Sequence, residues 1–364
     1  MPDENLKFDS IIAALKDLTQ PFPSRMLRSF SDLSRKDLRT LEGLWSEIDP
    51  IRKLSLFEDL ESIAEKDTLV NFDEFAKLGL ADEDPAIRVM AIRLLWECEE
   101  PILIPIFVEM LLSDGVEDVR AAAASALGKY VYLGELDSIA DHLKISVVQN
   151  LLDVVSGDDL PLVRRNALES LGYSSNAKVP RLILQALESE DNLWKQSALC
   201  AISRSADEQW SDTVIHYLSN SESELKFEAV RAAGELELSE ARDILLQILE
   251  ENEDDLELRY ASIWALSQIG GEGIKEIFEE MIKKSDDEEE INWLEKGLEN
   301  LDLGGDLDKM GLFNFDGSPV TYDDDSEDDS EDEEYEDEGE GFDDIERDLE
   351  EIDELDEDNE EENY

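Results

Sequence analysis

Asp84-Pro85-Ala86-Ile87-Arg88-Val89-Met90-Ala91, with Leu95 one helical turn further on, decides how the rest of the chain is read. Proline is tolerated in a first helical turn, where its missing N–H has no partner to lose, and an aspartate just ahead of it suits an N-cap. The stretch therefore opens a helix that presents an aliphatic residue, a cation and then small residues. The same order recurs. Val119-Arg120 leads to Ala123, Ala126, Leu127 and Gly128, and Val163-Arg164 to Ala167, Ser170, Leu171 and Gly172. Trp194-Lys195 leads to Ala198, Ala201 and Ile202, Leu225-Lys226 to Ala229, Ala232 and Gly234, and Leu258-Arg259 to Ser262, Ala265 and Leu266. A decayed copy runs from Trp293 through Gly297 to Leu301.

The cations Arg88, Arg120, Arg164, Lys195, Lys226 and Arg259 are separated by 32, 44, 31, 31 and 33 residues. A period near 32 is one helix pair with its turns. A second helix per unit is legible at 101–112, 179–187, 241–249 and 274–282, where apolar residues such as Ile244, Leu245, Ile248 and Leu249 share one face. Neither helix of a unit can bury its apolar face alone, so the units must stack. The expected fold is all-α: an α-solenoid of about seven antiparallel helix pairs. The long step of 44 predicts an insertion around 129–144, with a loop at 134–138 in which Asp137 or Ser138 caps the following helix.

Asp-Pro-x-Ile/Val-Arg-x-x-Ala-x-x-x-Leu resembles the second helix of a HEAT repeat, and the short period is similar to the phycobilisome-lyase-type repeats of bacteria. The resemblance spans Asp82 to Leu301, within a repeat solenoid read at 82–303, and implies a fold rather than a chemistry, because such repeats serve many partners. Residues 1–81 are helical without the motif, including amphipathic stretches at 31–45 and 52–65, and read as an N-terminal cap. Residues 304–322 read as a linker and 323–364 as a disordered acidic tail.

Charge narrows the function. The formal net charge is -63, and the 28 acidic residues and single Arg of 323–364 leave roughly -36 on the rest. Such a surface repels nucleic acid, anionic membranes and other polyanions, and favours a protein partner with a basic surface. Cys98 and Cys200 lie far apart in helical, apolar contexts and read as buried free thiols, compatible with a reducing cytoplasm. No apolar run approaches the ~18 residues that would cross a bilayer. The oligomeric state is not legible.

Candidate chemistry is sparse. Deoxyhypusine hydroxylase, an iron enzyme of related repeats, uses His-Glu dipeptides; here His142 and His216 precede Leu143 and Tyr217. No phosphate loop or nucleophile elbow occurs. The expectation is no catalytic residue, no metal and no cofactor: a non-catalytic interaction scaffold or adaptor. The alternatives are a lyase-like or maturation factor acting on a tetrapyrrole or protein modification, and an acidic chaperone for basic proteins. The repeated cations are expected to pair with turn acids, of which Asp84, Asp118, Asp159 and Asp191 are the candidates. Two docking elements stand out. One is the basic cluster Arg25, Arg28, Arg35, Lys36 and Arg39. The other is a helical-period stripe in the tail, Phe342, Ile345, Leu349, Ile352 and Leu355.

Overall fold

The computed structural model describes residues 8–219, 222–251 and 255–309, with the backbone alone at 251 and 304–309. These residues belong to one compact unit, residues 1–312. The acidic tail, including Phe342, Ile345, Leu349, Ile352 and Leu355, lies outside the described residues. All regular structure among the described residues is helical.

The motif-bearing helices are α5 (Pro85–Leu94), α7 (Glu117–Glu135), α9 (Pro161–Leu171), α11 (Asn192–Ser203), α13 (Ser223–Glu235) and α15 (Leu256–Ile269). Each packs on the helix preceding it: α4 (Asp73–Gly79), α6 (Leu103–Ser113), α8 (Asp141–Ser156), α10 (Val179–Leu187), α12 (Ser211–Leu218) and α14 (Arg242–Glu251). A seventh pair is α16 (Ile274–Lys284) with α17 (Glu288–Lys309). Each motif helix also packs against the next one, from α5 through to α17, so the motif helices form a continuous inner stack.

The small residues are what permit that stack. Ala91, Ala123, Ala167, Ala198 and Ala229 are wholly buried, as is Ser262. At Gly172 a methyl group would lie 2.5 Å from the Ala201 carbonyl oxygen, and at Gly234 it would lie 2.9 Å from the Ala265 Cα. Both glycines face the backbone of the next motif helix, so the recurring Gly and Ala slots are the two sides of one close crossing.

The 44-residue step is accommodated differently from the expectation of a loop. The helix α7 continues through Gly134 to Glu135, and only residues 136–140 form the turn. Leu133 and Gly134 are buried, which is why the helix does not end earlier. Asp137 stands at φ +56° in the reversal that ends α7, and α8 begins after an Ala140 N-cap, so neither Asp137 nor Ser138 caps it. The excess length becomes extra helical turns: α7 has 19 residues and α8 has 16, against 9 for α10 and 12 for α11.

At the N-terminal end come α1 (Phe8–Lys16), a 3-10 turn at Ser24–Phe30, α2 (Arg35–Leu44) and α3 (Pro50–Ala64). The amphipathic stretch read at 31–45 resolves into α2, capped by Ser34 accepting from the Asp37 N–H, and a 3-10 turn at Trp45–Glu47. Phe30, Phe57 and Trp45 close around Phe75, with ring centroids 4.9, 5.0 and 5.7 Å from it. This aromatic cluster covers the apolar end that the first pair would otherwise expose. Helix α3 packs on α5 as the motif helices pack on one another. At the other end α17 runs on through Gly304 and Gly305 to Lys309, where the sequence suggests a linker.

Replacing Gly172 by Ala should destabilise the protein by about 1–3 kcal/mol, because the added methyl meets backbone that can move only by separating α9 from α11. Gly43→Ala in α2, where the new methyl meets nothing within 4 Å, should be neutral or stabilising by up to about 1 kcal/mol. Urea unfolding of both variants checks the pair; equal effects would contradict the crossing.

Candidate functional site: the rungs and the motif-helix face

The repeated cations reach across turns. The Arg88 guanidinium donates from Nε and Nη2 to the two Asp114 carboxylate oxygens, 2.8 Å each, and from Nη1 to the Asp82 carbonyl at 2.8 Å. Arg120 repeats the arrangement one unit on, gripping Asp159 at 3.0 and 2.6 Å and the Asp114 carbonyl at 2.9 Å. Arg259 pairs with Glu290 at 2.6 Å and donates to the Leu249 carbonyl at 2.7 Å. Each such arginine ties the turn of its own repeat to the acid of the next, which fixes how successive pairs stack.

Of the acids expected as partners, only Asp159 plays that part. Asp84 and Asp191 are N-caps, accepting from the N–H groups of Ala86 and Leu193, and Asp118 is exposed in the first turn of α7. The acids used are Asp82 and Asp114, which stand earlier in the turn, each six residues before the following cation. The remaining cations lack a carboxylate partner among the described residues. Arg164 donates to the Val155 carbonyl and lies over Trp194, and Lys195 reaches the Asn192 amide oxygen at 3.4 Å.

One rung escaped the sequence reading. Lys53 in α3 donates to Asp82 at 2.6 Å, both side chains being less than a tenth exposed, and the Trp45 indole N–H donates to the same carboxylate at 2.7 Å. The available signal was Asp49-Pro50 with a cation four residues after the aspartate, as in Asp84-Pro85 and Arg88. Leu56 in place of the expected small residue hid it.

The acids hold depressed pKa values. Burial pushes Asp82 up, but Lys53, the Asp84 N–H and Trp45 outweigh it, so it ends below the usual carboxylate range. Burial likewise opposes, and Arg88 with the Val116 N–H overcomes, at Asp114. At Asp159 the Arg120 hydrogen bond is the leading cause of the lowering. Glu228 goes the other way, pushed up by burial and only partly relieved by Arg231.

The exposed side of the inner stack contains a groove of about 810 Å³ between α3, α5, α7 and α9. Its floor is the alanine face of α7, Ala121, Ala122 and Ala126, with Val89 of α5 beside it; Trp96, 60% exposed, and Leu162 stand at the sides. On the rim Arg93 is paired with Glu61 at 2.8 Å, and Lys129 donates to the Glu97 carbonyl at 2.6 Å. Glu65 and Asp118 are exposed there without an ion pair among the described residues, so the rim is net acidic.

The family of HEAT repeats matches residues 74–147 and 211–299. The chain carries HEAT repeats over these two regions. No curated protein matches the sequence closely. Among solved structures, the HEAT chain is similar to YibA of Escherichia coli, 18% identical over 75% of this chain and 95% of that one, with a TM-score of 0.40. It is also similar to human deoxyhypusine hydroxylase in complex with glycerol, at 16% identity over 72% and 95%, TM-score 0.32. A third similar structure is Kap121p bound to Pho4p, at 13% identity over 78% and 39%, TM-score 0.35.

The other singled-out residues are dispersed. His142 on α8 and His216 on α12 are both exposed. Cys98 and Cys200 are buried free thiols, and burial pushes them up to about 11 and about 12. Arg25 and Arg28 sit on the 3-10 turn, Arg35, Lys36 and Arg39 on α2, all exposed, and Arg28 donates to Asp67. No group of three or more His, Cys, Asp or Glu side chains placed to hold a metal occurs among the described residues, and no helix there is long and apolar enough to cross a membrane.

Asp114→Asn should cost about 1–3 kcal/mol at neutral pH, since one of the two Arg88 bonds loses its acceptor and the other loses its negative charge. A lowered folded pKa means that the stabilisation is present above the ordinary value of 3.8 and is lost as pH falls through the folded value. The gap in melting temperature between wild type and Asp114→Asn should therefore be widest at pH 6 and close as pH falls below 4. Glu228, with its raised value, contributes in the opposite sense: it weakens the fold as pH rises through the range above 4.5. A gap that widens in acid would overturn the rung assignment.

Proposed function

We propose that this HEAT protein is a non-catalytic scaffold that receives a protein partner along its motif-helix face, with the groove beside Trp96 as the main contact. The observation that carries the proposal is the combination of an alanine floor, an exposed tryptophan wall and unpaired acids at the rim. An amphipathic segment fits it: apolar side chains against Ala122 and Ala126, flanked by Lys or Arg towards Glu65 and Asp118. Helix-in-groove recognition needs this pairing of a shallow apolar floor with a polar edge, and exposed tryptophan is a frequent anchor of such contacts. The net charge of -63 favours a basic partner and speeds its approach. Adaptor work and a cytoplasmic setting are consistent with this reading. The cations of the rungs are occupied in stacking at Arg88, Arg120 and Arg259, which leaves the groove as the better-suited surface.

The test uses the full chain and Ala122→Trp, which fills the floor. Affinity purification from native cells should return proteins enriched in basic surface with the wild type. The variant should lose them while keeping its circular dichroism and melting temperature within experimental error. An identical captured set would refute the groove. A set that survives Ala122→Trp, disappears when residues 323–364 are removed, and dissolves in salt would favour the acidic-chaperone reading in its place.

A further inference from the structure

The rung at Arg164 is incomplete in a way that leaves room for a ligand. At Arg88 and Arg120 the Nε and Nη2 edge grips a carboxylate supplied by the next turn. At Arg164 the same edge donates to the Val155 carbonyl, 3.0 and 2.9 Å, and no carboxylate of the next turn reaches the guanidinium. The turn differs from its neighbours: the rung acids Asp82 and Asp114 stand six residues before the following cation and Asp159 five, whereas before Lys195 these places hold Ser189 and an exposed Glu190 that does not bond to Arg164. Ser189 keeps the local duty of that position, because its hydroxyl accepts the Asp191 N–H at 3.1 Å just as Asp82 accepts the Asp84 N–H at 2.9 Å. What it lacks is the negative charge. The acid that senses Arg164 is Asp159, already held by Arg120.

The place of the missing carboxylate is open. Arg164, Ser189, Gln185 and Ser156 line a cavity of about 400 Å³ whose apolar side is Trp194 with Leu182. The guanidinium carbon lies 5.3 Å from the Trp194 ring centroid, so the cation is held over an aromatic face. With Nε and Nη2 on the Val155 carbonyl, Nη1 of Arg164 is the donor left for a carboxylate, with Gln185 and the serines beside it, and Trp194 and Leu182 suit the short apolar stem that carries it.

We infer that this cavity receives one Asp or Glu side chain of a protein partner, which completes the rung in trans. The surrounding charge sets the kind of segment that can deliver it. A polyanion is repelled by the net negative body, whereas a single carboxylate flanked by cations is attracted overall and neutralised locally. This inference adds a second contact to the scaffold reading and does not depend on the groove, because the experiment reads Arg164 and Trp194 directly.

The probe is the peptide acetyl-Lys-Gly-Glu-Gly-Lys-amide, with its Gln counterpart as control, titrated into the isotope-labelled full chain. The Arg164 Nε–H and Trp194 indole N–H resonances should shift with the Glu peptide, with at least tenfold weaker binding for the Gln peptide. Arg164→Gln should abolish the shift at Trp194. Ser189→Asp supplies the carboxylate in cis: it should raise the melting temperature and also abolish binding, which keeps the inference testable if Arg164→Gln fails to fold. Equal binding of the Glu and Gln peptides, or undiminished binding to Ser189→Asp, would overturn it, as would shifts confined to Arg25, Arg28, Arg35, Lys36 and Arg39.

Discussion

The fold depends on how closely one motif helix can approach the next. The Gly172 backbone lies against Ala201, and that of Gly234 against Ala265, at distances that leave no room for a side chain on the glycine. Close approach brings buried aliphatic residues such as Val163, Leu168 and Leu171 into the same interior as Leu199 and Ile202 of the following helix. In a stacked array each pair touches only its neighbours, so stability is carried by interfaces of this kind repeated along the chain. One oversized residue in a slot therefore damages a single interface, and the interfaces beyond it keep their own geometry.

The rungs act on a different degree of freedom. Apolar crossings tolerate sliding, because dispersion and hydrophobic burial are not directional. A bidentate Arg–Asp pair is directional. Arg88 on Asp114 and Arg120 on Asp159 hold each pair in one register against the next. These side chains are 10 to 22% exposed. Partial exposure moderates the desolvation cost that a fully buried pair would carry. Lys53 and Asp82 are more deeply buried, and there the additional donors from Trp45 and the Asp84 N–H satisfy the remaining carboxylate lone pairs. A buried ion pair is tolerable when its polar atoms are accounted for in this way.

The array itself was legible because it repeats. The cation, the small slots and the period identify the motif helices and their partners from sequence alone, and the HEAT resemblance rests on the same residues. Pairing between turns was less legible. Asp82 and Asp84 differ by two positions in one acidic turn, and only the backbone conformation decides that Asp84 caps α5 while Asp82 meets Lys53. The insertion misled for a related reason. Residues 134–138 contain turn-forming types, yet Gly134 lies inside α7 because it packs against the Lys144 stem, where a side chain would collide. Tertiary packing overrides local preference at that point. The groove was not legible as a site, since an alanine run reads simply as helix.

The position of the groove follows from the same periodicity. One residue after each repeated cation, the chain carries Val89, Ala121, Arg165, Gln196, Phe227 and Tyr260. These equivalent positions lie on one side of the motif stack, so their sizes set its relief. Only α7 places alanine there, followed by Ala122 where α9, α11 and α13 carry Asn166, Ser197 and Glu228; α15 has Ala261 at that second position but Tyr260 at the first. The relief is lowest on α7 and rises again on α9, where Leu162 and Asn166 bound the groove. The added turns of α7 reinforce that limit, because Tyr132 packs on Tyr173 and Glu135 holds both Lys144 and Ser175, tying the end of the long helix to the pair that follows. The helix with the lowest surface is thus also anchored beyond the ordinary repeat length, which keeps the floor of the groove rigid without filling it.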